Sequence, residues 1–141
     1  MPVRIEPSRR KRLTAQLGVL TPARLALGRT GLGAVMLARP RLMPQTMGVD
    51  SASAVKTAWV VQMLGAREVA LGLGMLASVR SGDARATRTW VLAGVLSDAA
   101  DVAAVGAAVL RGHLSKPIGA AAVVTALGAA LAGLQALQPR D

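Results

Sequence analysis

Apolar positions run in four long blocks, separated by short stretches rich in proline, glycine, serine and charge. The blocks predict helices at about 22–38, 57–79, 89–110 and 117–137. About 20 consecutive apolar residues are needed to cross the hydrocarbon core of a bilayer, and these blocks approach or reach that length. Start and stop signals fall where the pattern changes. Thr21 is a good N-cap, and Pro22 suits the first helical turn; Arg39-Pro40 stops the first block. Asp50, Ser51 and Ser53 offer caps for the second helix. Gly82 and Asp83 mark the turn before the third, and Gly112 ends it. Ser115 and Pro117 open the fourth, and Pro139 closes it. The expected fold is all-α: a bundle of four transmembrane helices over residues 21–138, preceded by a basic segment over residues 1–20.

Five charges interrupt these blocks near mid-depth: Arg29, Arg67, Glu68, Asp98 and Asp101. A charge there costs about 2.5–3.5 kcal/mol on insertion scales, so these side chains should turn inward and pair. Glu68 lies three residues after Gly65 and four before Gly72, on the helix face that glycine opens to a close neighbour. Arg67 is rotated from it by about 100°. Asp98 and Asp101 stand one turn apart, separated by about 60° around the axis. Arg29 and Arg67 are the arginines at their depth. With three acids against two bases, either one acid carries a proton or water reaches the site. The five form a buried polar cluster able to serve as a ligand or proton site.

Composition supports the membrane. Hydrophobic residues make up 52% of the 141-residue chain, with 15 glycines, no Phe or Tyr, and Trp59 and Trp90 as the aromatic residues. Small residues let helix backbones approach closely in lipid, whereas a soluble core of this size draws on large side chains. The net charge of +10 would suit nucleic acid on a soluble face, but here the basic residues flank the apolar blocks. That is the pattern of topology signals and of contact with anionic lipid, and no nucleic-acid partner is expected. Arg4, Arg9, Arg10, Lys11, Arg12, Arg24, Arg80, Arg85, Arg88 and Arg140 fall on one side, against Arg39, Arg41, Lys56, Arg111 and Lys116 on the other. This bias places both termini in the cytoplasm, in a multi-pass protein of the inner (plasma) membrane. Trp59 and Trp90 then become interface anchors. The basic segment is read as a short helix on the cytoplasmic surface, touching anionic lipid.

Several chemistries are excluded or weak. Without cysteine there is no thiolate metal site, and His113 alone cannot form a histidine pair. No metal or cofactor is expected. Gly28-Arg29-Thr30-Gly31-Leu32-Gly33 lacks the order of a dinucleotide loop and a preceding strand. Ala122, Ala126 and Ala130, beside Thr125, Ala129 and Gly133, read as packing seams of the fourth helix, and one of them is available to a partner. Gln62 and Gln135 are expected to bond between helices.

Three stretches together resemble a known type: Ala38-Arg39-Pro40 leading to Met47-Gly48-Val49; Leu64 through Gly72, with Gly65-Ala66-Arg67-Glu68 at its heart; and Trp90 through Ser97-Asp98-Ala99-Ala100-Asp101. They resemble small four-helix membrane proteins that are DoxX-like in layout, with a Gly-x-Arg-acid-x-x-x-Gly pattern on the second helix. The resemblance implies the fold, carries Arg67, Glu68, Asp98 and Asp101 over as a polar core, and implies no activity. The first functional expectation is therefore non-enzymatic: a small subunit or accessory protein whose ionic core fixes its bundle. Its partners would be the bilayer and another membrane protein or a second copy. The alternative is a binder or carrier of a small apolar or weakly acidic molecule, using the cluster as a protonatable site. An acid–base membrane enzyme is third, because no nucleophile, metal set or cofactor motif stands beside the carboxylates.

Overall fold

The computed structural model describes residues 21–137, and the described residues form helices and turns with no strand. The helices are α1 (Pro22–Ala38), α2 (Leu42–Thr46), α3 (Ser51–Lys56), α4 (Ala58–Arg80), α5 (Ala84–Leu110) and α6 (Lys116–Ala136). The expected interfacial helix at residues 1–20, and Arg140, lie outside the described residues.

The boundaries follow from local chemistry. Thr21 accepts a hydrogen bond from the Arg24 backbone N–H at 3.1 Å, with Pro22 in the first turn. Asp50 accepts from the N–H groups of Ala52 and Ser53, each at 3.0 Å, and opens α3. Two short helices, α2 and α3, thus lie between the first and second apolar blocks. Asp83 accepts from Ala86 N–H at 2.8 Å, so α5 begins at Ala84, earlier than the hydropathy pattern suggested. Gly82 and Gly112 take φ of 71° and 73°, the left-handed conformation that ends α4 and α5.

Three helices are long and apolar enough to cross a membrane: α4, α5 and α6. The expected fourth span, at residues 22–38, is shorter than these. Helix α1 has 17 residues, spanning about 25 Å against the roughly 30 Å of a hydrocarbon core. The outward surface of the long helices is apolar, with Leu96 69%, Val124 70% and Leu131 58% exposed. Such a surface suits lipid rather than water.

Glycine decides how the long helices pair. Helix α1 runs antiparallel to α4 at backbone contact: a Cβ on Gly33 would stand 2.5 Å from the Gly65 carbonyl oxygen, and one on Gly65 2.9 Å from that of Gly33. Helix α5 runs antiparallel to α6, where Gly133 receives Val95 and Gly119 receives Val109. Between α4 and α5, the Trp90 ring lies on Gly74, where an added Cβ would come within 2.5 Å of it. Trp90 is therefore half-buried as a packing residue, while Trp59 is 62% exposed. Gln62 and Gln135 stand exposed instead of between helices. Toward one end of the molecule Leu25, Ala26, Met75, Val91 and Ala136 form a core cluster, with Leu76 and Trp90 against them.

Candidate functional site: an ionic chain beside a cavity

The structure brings all five mid-block charges together, from α1, α4 and α5. Arg29 Nη1 donates to Glu68 Oε2 at 2.6 Å. The same guanidinium grips Asp98 through Nη2–Oδ2 and through Nη1–Oδ1 at 3.3 Å. Arg67 holds Asp101 in a fork, Nη1–Oδ1 at 2.9 Å and Nη2–Oδ2 at 2.6 Å, and reaches Glu68 Oε1 at 3.3 Å. The order is Asp98, Arg29, Glu68, Arg67, Asp101: each acid abuts a base and each base lies between two acids. This alternation accommodates three carboxylates on two arginines, because Glu68 is shared. Asp98 and Asp101 do not crowd one another, since each faces its own arginine.

Each position has a local cause. Gly65 and Gly72 press α4 onto α1, and Glu68 between them faces Arg29 across that contact. Gly94, one turn before Asp98, leaves room for the Arg29 side chain; a Cβ there would lie 2.9 Å from its Nη2. Arg29, Glu68 and Asp98 are 5%, 6% and 4% exposed. The Arg67 and Asp101 side chains are each 33% exposed. The centrality of Arg29, which alone among the two arginines joins three helices, was not legible from spacing; Gly94 and Asp98 on one face were its only trace.

A cavity of about 340 Å³ ends on this chain. Arg67, Glu68, Asp98 and Asp101 form its polar side, while Leu32 and Met36 of α1, Val60 and Leu64 of α4, and Ala104 and Val105 of α5 form apolar walls. Ala122, Thr125, Ala126 and Ala129 close it from α6. These small residues were expected to make packing seams. Gly133 does so against Val95 of α5, whereas Ala122, Thr125, Ala126 and Ala129 line an open gap. A second hollow of about 640 Å³ lies toward α2, α3 and the α5–α6 turn, where exposed His113 sits. Met43, Val60, Leu64 and Ala122 line both. At the opposite end a hollow of about 410 Å³ is lined by none of the five charges.

Chemically, the arrangement offers charge-paired donors and acceptors at the end of an apolar space. Among the described residues its one lining hydroxyl is that of Thr125, which donates to the Ala121 carbonyl at 2.9 Å. No group of His, Asp and Glu side chains there is arranged to hold a metal ion.

Fold and site together define a helical membrane-type protein whose inner charges are joined in one ionic chain. The chain belongs to the family described as a domain of unknown function (DUF4267), whose model matches residues 26–134. That match spans all five charges. It bears on family membership and not on the DoxX-like layout or the glycine–arginine pattern. No curated protein and no solved structure matches the chain.

Proposed function

We propose that this protein binds a small, mainly apolar molecule inside the membrane, with the ionic chain as the polar end of its site and without catalysing a reaction. The single observation behind this reading is the cavity of about 340 Å³ that reaches Arg67, Glu68, Asp98 and Asp101. A purely structural ionic core would be expected to sit in a packed centre. Pockets that hold small ligands combine apolar walls with a few placed polar groups, which is the composition found here. In this reading α1 is a fourth, short span held to α4 by the Gly33–Gly65 contact. Both termini lie in the cytoplasm of an inner-membrane protein, and the basic N-terminal segment rests on anionic lipid.

The experiment is native mass spectrometry of the purified protein, released from detergent after incubation with a lipid extract. The wild type is expected to retain a small molecule, and Ala126→Phe, which fills the cavity, to lose it while keeping its helical circular dichroism. Retention by Ala126→Phe, or an empty wild type, would leave the ionic chain with the subunit role alone. Topology is tested separately. Cysteines at Thr46 and His113 should react with an impermeant thiol reagent in intact cells, and one at Ala84 should resist it.

A further inference from the structure

We infer that the ligand carries a neutral head group that both donates and accepts a hydrogen bond, as an alcohol or phenol does, and is neither a carboxylate nor an amine. The inference rests on the binding reading above and adds the chemistry of the head group.

The polar end of the cavity is not uniform. Glu68 and Asp98 are almost fully buried and committed to Arg29, with Glu68 also bonded to Arg67. What the cavity mainly meets is the Arg67–Asp101 pair, of which each side chain is one-third exposed. That pair is one guanidinium and one carboxylate, and its charges cancel. Glu68, the acid shared by the two arginines, is bonded on both oxygens by guanidinium groups.

The pair still has hydrogen-bonding capacity. Its fork uses one Nη1 hydrogen and one Nη2 hydrogen, and the other Nη2 hydrogen goes to Glu68. The second Nη1 hydrogen is left over for a ligand, whereas Nε, also without a partner among the described residues, is buried. Each Asp101 oxygen accepts one bond from Arg67 and has a lone pair to spare. A hydroxyl satisfies both partners, accepting from Arg67 and donating to Asp101. A pure hydrocarbon would leave these groups dry and unpaired, which is costly. A carboxylate would meet Asp101 and an ammonium would meet Arg67, each bringing a net charge into a low-dielectric site without a counter-ion.

Photo-crosslinking separates these cases. Three probes share one medium-chain tail bearing a diazirine and differ in the head: primary alcohol, carboxylic acid, primary amine. Each is incubated at pH 7 with the protein in nanodiscs of phosphatidylcholine, and the labelled peptides are mapped. The alcohol should label residues 122–129 of α6 more than about tenfold above the acid and the amine, since tenfold corresponds to about 1.4 kcal/mol of preference. Asp101→Asn uncovers the Arg67 charge and should turn the preference toward the acid. Stronger labelling by the acid or the amine in the wild type would overturn the neutral head group while leaving the cavity as a binding site. No labelling of residues 122–129 by any probe would remove the binding reading itself, and this inference with it. Ala126→Phe serves as the filled-cavity control.

Discussion

The two ends of the molecule are built from the same small-residue alphabet and pack in opposite ways. At the end holding Leu25, Met75, Val91 and Ala136, two glycines receive a side chain: Trp90 lies on Gly74 and Val95 on Gly133. Knob meets hole at both, and the hollow of about 410 Å³ beside Val91 and Ala136 stays clear of the five charges. At the other end, Ala122, Ala126 and Ala129 of α6 and Ala104 and Val105 of α5 line a cavity of about 340 Å³ that reaches the charges. The ionic chain stands at the boundary. Its Arg29 half is sealed, and its Arg67 half opens toward the cavity that the charges line. Small residues in a membrane helix therefore permit close packing without compelling it; what sits opposite decides.

The largest way to break this comparison is at Arg29. Arg29→Ala should destabilise by about 3–5 kcal/mol, because it strands Glu68 and Asp98 in a dry site. Arg67→Ala should cost less, since Asp101 keeps partial exposure. Thermal unfolding in detergent measures both, and equal losses would mean that the two halves are not differently buried.

Next comes the coupling across the open half. In a double-mutant cycle, removing Arg67 and Asp101 together should cost less than the sum of the singles by about 0.5–3 kcal/mol. Additive losses would mean that the fork at 2.6 and 2.9 Å contributes nothing.

One kind of change should then have opposite signs at the two ends. Gly74→Val drives a side chain into the Trp90 ring and should cost about 1–3 kcal/mol. Ala126→Leu enters empty space and should be neutral or stabilising, by on the order of 1 kcal/mol. Melting temperatures decide this, and a loss from Ala126→Leu similar to that from Gly74→Val would show the cavity to be closed in the working protein.

The smallest effect lies in the segment beside the outer hollow. Hydrogen bonds from the Ser53 side chain and backbone hold Asp50 below the usual carboxylate range. A group with a lowered folded value contributes stability above its unfolded value, and that contribution fades as pH falls through the folded one. Fraying of α3, followed by hydrogen exchange, should therefore increase below about pH 4 and vanish as a pH effect in Asp50→Asn.

Much of this was legible along the chain. The breaks at Arg39-Pro40, Gly82 and Gly112 and the caps at Thr21 and Asp83 are local events, so local rules found them. The inward turn of Glu68 could be read from Gly65 and Gly72, because helical spacing puts them on one face. The five charges could be singled out by the cost of charge in lipid alone.

Only the tertiary structure decided how they join. Spacing gives a residue's angle on its own helix but not the rotation or distance of the next, so it could not choose between Arg29 and Arg67 as the partner of Asp98. Nor could it show that the α6 alanines face a gap, since a cavity belongs to no helix and arises from what two surfaces fail to fill. The sequence determined which groups must be hidden. The packing of α1 and α5 around Gly94, and the mismatch of α5 with α6, determined which of them stayed within reach of a ligand.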